Sequence, residues 1–441
     1  MRLRISVIGT GHLGATHAAC MAELGHEVLG VDIDPARVET LAAGRPPFFE
    51  PGVSELLRRH TQSGRLRFTT SPALAAEFAD VHFICVGTPQ RPDRMAADTS
   101  HVTAVVEGLV PHLARPATLV GKSTVPAGTA AELAGRIVEL RPAGVEAELA
   151  WNPEFLREGH AVEDTLRPDR LVFGVSTTGS EKVLREVYRS LLDDGVPLVV
   201  TDVATAELVK VSANAFLATK ISFINAIAEL CEVTGADVGA LAEAIGYDPR
   251  IGHRSLVAGL GFGGGCLPKD IRAFMARAEE LGVDQALSLL REVDAINMRR
   301  RCRMVELAES ECDGSVVGKR IAVLGAAFKP MTDDVRDSPA LTVAAQLQLR
   351  GAQVRVYDPQ AMIAARAVFP TLSYADSAAH AAEGAHLVLH LTEWAEFAEI
   401  DPAEFASYVA DRRILDGRNA LDADRWRAAG WTYRALGRPR A

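Results

Sequence analysis

Short runs of branched apolar residues alternate along the chain with longer stretches whose apolar residues recur every three or four positions. "LRISVIG" is such a run; the turn "TGHLG" and a helical pattern through Leu24 follow it, and "HEVLGVDID" is a second strand. Further strands read "VHFICVG" (81–87), "ATLVGKST" (117–124), "LAWNPE" (149–154) and "RLVFG" (170–174), with helical patterns over Thr99–Leu113 and Ala127–Leu140 between them. Strands alternating with helices predict an α/β fold with a doubly wound parallel sheet over residues 1–202.

A second segment, 203–312, is helical. From Val203 the chain runs without Gly or Pro to Gly235, with Thr201 or Asp202 available as a cap. Such a helix is roughly 48 Å long at about 1.5 Å per residue, long enough to bridge two lobes. Its apolar residues lie nearly all round, which predicts burial, in part at a subunit interface. A further helix is expected over about Gln285–Ser310. The third segment, 313–441, repeats the opening plan: "KRIAVLGAAF", a helix in "SPALTVAAQLQLRG", then "AQVRVYDP", "HLVLHLTEW" and "RRILDGRN". It reads as a second Rossmann-like lobe that has lost the glycine fingerprint. The expected domains are therefore two doubly wound lobes joined by a central helical one.

With 441 residues, 48% of them hydrophobic, the chain can build two or three packed cores. A net charge of −10 argues against nucleic acid or an anionic membrane as partner. An anionic small ligand would need a locally basic pocket. The six cysteines fit no zinc spacing and no compact disulfide framework, so no metal is expected and a reducing cytoplasm is the simplest setting. No signal peptide and no continuous apolar run of membrane-helix length is read, so a soluble protein is expected.

Gly9, Gly11 and Gly14 form G-x-G-x-x-G between a strand and a helix, with His12 and Leu13 inside the motif. Such glycines allow a tight turn and a close approach of a pyrophosphate to the helix N-terminus. Asp32 ends the second strand, where ribose hydroxyls would lie; its charge favours NAD over NADP, with Arg37 close enough to complicate that choice. Thr88 and Thr124 sit at the ligand-binding ends of later strands.

Lys210 and Asn214 are one turn apart on the long helix and could stabilise an oxyanion. In "WNPEFLREG", Glu154 and Glu158 would face the same way if a helical turn forms, and one could take a proton from water. Cys266 follows three glycines in "GFGGGCLPKD"; Pro268 suits a helix's first turn, and Lys269 and Asp270 lie close behind. A helix N-terminus and a neighbouring cation both favour a thiolate. A thiol nucleophile is useful to a dehydrogenase whose first product is an aldehyde. Addition of the sulfur gives a thiohemiacetal, oxidation of that adduct a thioester, and water releases an acid. The expected reaction is a four-electron oxidation of a primary alcohol to a carboxylate. A single-step β-hydroxyacid dehydrogenase would share the Lys-x-x-x-Asn pair but lacks the thiol and the third lobe. A sugar-binding module without catalysis would not need Cys266, Lys210 and Asp270 together.

"GTGHLG", "VGTP", "KSTVPAGT", "NPEFLREG", "DPRIG", "GFGGGCLPKD", "FKPMTDDVRDSP" and "DGRN" follow one another as in the nucleotide-sugar dehydrogenases, and the chain resembles that family over nearly its whole length. The resemblance implies NAD as cofactor, a nucleotide sugar as substrate and a homodimer. It implies Cys266 as nucleophile, Lys210 and Asn214 at the oxyanion, Thr124 and Glu158 at the cofactor and the water, and Asp270 supporting the thiol or the water. Glu154, Phe155, Leu156 and Gly263 would face the sugar; Lys329, Arg336 and Arg418 would hold the substrate or close over it. Arg250 would reach the partner subunit's site. "NPEFLREG" with "RPDRLVFG" points to the UDP-glucose branch and hence to UDP-glucuronate as product; dTDP-glucose or GDP-mannose remain alternatives. The sequence departs from the common family pattern at Gly265, where serine usually precedes the cysteine.

Overall fold

The computed structural model describes residues 2–439. The chain forms two compact units, one of residues up to Ala213 with Arg272–Leu281, the other of Asn214–Ile271 with the chain from Gly282 onward.

The first unit holds an eight-stranded sheet of β1 (Arg4–Ile8), β2 (Glu27–Val31), β3 (Leu66–Thr69), β4 (Val81–Ile84), β5 (Ala117–Gly121), β6 (Ala147–Trp151), β7 (Leu171–Gly174) and β8 (Leu198–Thr201). Their order is β3-β2-β1-β4-β5-β6-β7-β8. The order reverses between β1 and β4, the crevice where open α/β sheets take ligands. The sheet is parallel except at one step: β7 pairs with β6 antiparallel and with β8 in parallel. The doubly wound sheet is as expected, with its last two strands turned round. Strand ends predicted at 87, 124 and 154 fall at Ile84, Gly121 and Trp151, because residues 85–87, 122–124 and 152–154 belong to loops at the carboxyl edge. Two cores, one on each face, fill the space under the helices: Ala15, Ala18, Met21 and Leu57 on one side, and Val102, Val106, Leu133 and Ile137 on the other.

The predicted long helix is Val203–Thr234, 32 residues, ended by Gly235 at φ +78°. Asp202 caps it, its carboxylate accepting from the Thr205 N–H at 2.8 Å. The expectation of burial all round fails. Phe216 (67% exposed), Phe223, Leu230 and Val233 (81%) stand out from the second unit, and the first three recur every seventh residue on one stripe. By length and composition this helix could cross a membrane. Yet Asn214, Ser222 and Asn225 along it are buried within the protein, as expected of a packed helix.

The second unit's sheet runs β11-β10-β9-β12-β13-β14, all parallel. The strands are β9 (Arg320–Leu324), β10 (Gln353–Tyr357), β11 (Ser373–Tyr374), β12 (Leu387–His390), β13 (Arg413–Asp416) and β14 (Thr432–Ala435). The helix read as starting near Gln285 is Leu289–Glu311, after a short 3-10 turn; its Met304, Val305, Leu307 and Ala308 join the core of this second sheet.

Candidate functional site

The glycine fingerprint fits an ordinary dinucleotide in this structure. Gly9 sits at φ +87°, and a Cβ there would lie 2.6 Å from the Val86 side chain. A Cβ on Gly14 would lie 1.8 Å from the Gly9 carbonyl oxygen. Around Gly11 there is open space, at the start of the His12–Glu23 helix, where a pyrophosphate would approach. Asp32 accepts from the Thr10 N–H at 2.8 Å and from the Asp34 N–H at 3.1 Å. Burial pushes its carboxyl up, but these N–H groups and the Arg37 guanidinium outweigh it and hold it below the usual range. Arg37 lies 3.1 Å from Asp32, so its charge is already matched by a carboxylate. Ile33, beside Asp32, is 93% exposed and escaped the sequence reading.

At the ends of β4 and β5, the Thr88 hydroxyl donates to the Thr124 carbonyl at 2.7 Å and ties the two loops. Glu50, also missed, is buried; its carboxylate accepts from the Gly159 and Ala161 N–H groups at 2.7 and 2.8 Å and lies 2.8 Å from His12 Nε2. It thus joins the fingerprint helix to the end of the loop after β6. In that loop no helical turn forms between Glu154 and Glu158, so the condition for their sharing a helical face is not met. Pro153 excludes a helix through Asn152, and the Glu154 carboxylate instead accepts from the Leu156 N–H at 2.6 Å. Glu154 Oε1 also meets Lys210 Nζ at 3.0 Å, both side chains nearly buried. Phe155 lies under the Arg170 guanidinium at 3.8 Å, with Lys210 Nζ 5.9 Å from its ring. Glu158 is half-buried at the loop's far end.

In the second unit, Cys266 is exposed at the start of the Leu267–Glu280 helix, and its carbonyl accepts from the Asp270 N–H at 2.9 Å. Asp270 is buried between Asn214 Nδ2 and Lys269 Nζ, each 2.7 Å from a carboxylate oxygen. The segment before the cysteine is fixed on several sides. Asn297 exchanges both hydrogen bonds with the Phe262 backbone, at 2.8 and 3.0 Å. Arg418 donates to the carbonyls of Gly261, Phe328 and Leu391, so its guanidinium works on the backbone around the loop. The Gly264 N–H donates to the Arg336 carbonyl at 2.8 Å. A Cβ on Gly263 would lie 2.4 Å from the Asp337 carbonyl oxygen, and one on Gly265 would lie 2.2 Å from Arg336 Cζ. Lys329 stands 5.5 Å from the Phe328 ring. Arg250 is exposed and pairs with Asp248 at 2.6 Å. Four cysteines, Cys20, Cys85, Cys231 and Cys312, are buried; burial pushes the Cys20 and Cys85 thiols up to about 12. Among the described residues, no group of three or more His, Cys, Asp and Glu side chains could hold a metal ion.

The chain matches the UDP-glucose/GDP-mannose dehydrogenase family along its length: the NAD binding domain over residues 3–192, the central domain over 204–299 and the UDP binding domain over 322–423. A UDP-glucose 6-dehydrogenase of Rhizobium meliloti (strain 1021) is 42% identical over 439 residues, covering 99% of this chain and 100% of the relative. One from Bacillus subtilis (strain 168) is 40% identical over 437 residues, covering 99% and 98%. The solved UDP-glucose dehydrogenase of the archaeon Pyrobaculum islandicum superposes with a TM-score of 0.91 at 39% identity, covering 99% of this chain and 98% of that one.

Proposed function

Since the chain belongs to the UDP-glucose/GDP-mannose dehydrogenase family, we propose that it oxidises the 6-hydroxymethyl group of UDP-glucose to the carboxylate of UDP-glucuronate with NAD. The observation that carries this reading is an exposed thiol at a helix start beside a buried aspartate already bonded to Asn214 and Lys269. Gly9, Gly11, His12, Leu13, Gly14, Asp32 and Arg37 would hold NAD, with Thr88, Thr124 and Glu158 beside it; bound there, it accepts a hydride in each of two oxidations.

Lys210 and Asn214 stabilise the oxyanion on the reacting carbon. Cys266 Sγ adds to the aldehyde carbon, the adduct is carried to the acyl level, and water cleaves the acyl–sulfur bond. Thr124 and Glu158 position that water, and Asp270 holds Asn214 and accepts the proton. Glu154, Phe155, Leu156 and Gly263 face the sugar, while Lys329 and Arg336 supply the positive charge that an anionic diphosphate needs in a chain of net charge −10. Arg418 keeps the loop before the cysteine in place.

We assign the working form as a cytoplasmic homodimer, in which the Phe216–Phe223–Leu230 stripe is covered by a second copy and Arg250 reaches the partner's site. The exposed, heptad-spaced stripe supports this. The test is stoichiometry: the wild type forms two NADH per UDP-glucose and a product of UDP-glucuronate mass. A Cys266→Ser protein binds UDP-glucose but forms little acid. Normal turnover by that variant overturns the thioester route, and a preference for dTDP- or GDP-sugars in a parallel panel overturns the substrate.

A further inference from the structure

Lys122 follows β5 directly and is only 6% exposed. An ammonium in a protein interior is costly unless it is well satisfied. Its Nζ donates to Asn152 Oδ1 at 2.9 Å and to the Asn152 carbonyl at 3.4 Å, and lies 3.5 Å from the Tyr188 hydroxyl. The faces of Phe83 and Tyr188 lie 6.0 and 5.9 Å away. The two neutral partners do not need this cation. The Tyr188 hydroxyl already donates to Asn152 Oδ1 at 2.7 Å, and Asn152 Nδ2 donates to the Val172 carbonyl at 3.0 Å. The fold is therefore keeping a charge that its hydrogen bonding could do without.

What the charge grips is informative. Asn152 is the first residue after β6, and Pro153 and Glu154 follow. Proline fixes its own φ and restricts the residue before it, so the orientation of Asn152 passes stiffly to Glu154. Glu154 in turn meets Lys210 at 3.0 Å. We propose that Lys122 is a positioning residue for the oxidation: by holding Asn152 through its side chain and its carbonyl, it sets where Glu154 meets Lys210. This rests on the roles given above to Glu154 and Lys210.

The groups facing the ammonium are Cys85, His17, Tyr188, Glu154 and Lys210. Burial leaves the first three neutral near pH 8: Cys85 is pushed up to about 12, Tyr188 is raised well above its ordinary value, and His17 is lowered. Burial, followed by repulsion from Lys210, also brings Lys122 itself down to about 8 against the pull of Glu154. The clamp should therefore loosen on the alkaline side.

The experiment compares wild type with Lys122→Met, and with Lys122→Gln should the first not fold. Wild-type formation of two NADH per UDP-glucose is measured first; its absence overturns the assigned reaction, not the clamp alone. With that reaction in hand, the variant should lose roughly 10- to 100-fold in kcat, the scale of a misplaced reacting group. Its KM for NAD should stay within about twofold and its Tm should not fall. The wild-type alkaline limb near pH 8 should be missing from its kcat profile. A kcat within about twofold of wild type, an unchanged alkaline limb, or an activity loss that tracks a fall in Tm would each overturn the positioning role.

Discussion

Gly265→Ser perturbs Arg336, which is proposed above to meet the substrate, while leaving the atoms of Cys266, the proposed nucleophile, alone. A Cβ at this position would lie 2.2 Å from Arg336 Cζ and 2.4 and 2.6 Å from its two Nη atoms. Ordinary contact begins near 3.4 Å, so the guanidinium must move by more than 1 Å. The obstacle is the end of a flexible side chain, 62% exposed and paired with Asp334 at 2.7 Å. Asp334 is only 11% exposed, so the pair is half in solvent, and loosening it costs on the order of 1 kcal/mol. Gly265 is not in the left-handed region, unlike Gly264 at φ +82°. Serine there also stiffens the unfolded chain, which returns roughly 0.4–1 kcal/mol. Stability should then change by less than about 1 kcal/mol, a Tm shift of a few degrees at most. Function should not be so forgiving. If Arg336 makes a charge-assisted contact to the substrate, losing it costs about 1.5–3 kcal/mol, or roughly 10- to 150-fold in KM for UDP-glucose. Initial NADH rates at saturating NAD, read against a thermal melt and an Arg336→Ala control, measure both. A serine variant whose KM stays within about twofold of wild type, while Arg336→Ala raises it, refutes the reasoning.

Gly14→Ala places a Cβ 1.8 Å from a backbone oxygen that has nowhere to go. The glycine turn should shift at a cost of about 1–3 kcal/mol, weakening NAD binding roughly 5- to 150-fold by calorimetry; unaltered affinity would show that the turn does not cradle the cofactor. Lys122 gives a stability signal with a definite sign. It is held at about 8 in the folded chain against an ordinary 10.5, so the unfolded chain keeps the proton longer as pH rises. Its penalty is full below pH 8 and is relieved between 8 and 10.5, by about 3 kcal/mol in total. Urea midpoints at pH 7.5 and 10 should show this rise in wild type and lack it in Lys122→Met. Phe223→Asp should break the proposed dimer, read by light scattering; an unchanged mass would move the interface elsewhere.

Much of this was legible in the sequence because backbone demands leave plain marks. Gly9 and Gly14 are glycines because any Cβ would strike Val86 or the Gly9 carbonyl, and the spacing shows it. Asp202 and Gly235 bracket the long helix as a cap and a stop should. Local pattern failed where one residue governs another at a distance. Glu154 and Glu158 have helical spacing, yet Pro153 and the Leu156 N–H decide the loop's shape. The edge strand Leu198–Thr201 and the turned-round β7 follow from sheet pairings that no short window records. Nothing in the sequence links Lys122, Asn152 and Tyr188, since only the folded sheet places them side by side. The apolar pattern predicts burial for the Phe216 stripe, since a composition cannot say which neighbour supplies the cover.

The uneven shielding of the thiols has a practical consequence. Only Cys266 and Cys302 of the six are exposed, and Cys20 and Cys85 stay protonated well above neutral pH. A mild alkylating agent would therefore find few targets, and in a Cys302→Ser background essentially one. Incorporated label would then count accessible Cys266 thiols directly, and protection by UDP-glucose would test the proposed placement of the sugar beside that thiol without following turnover at all.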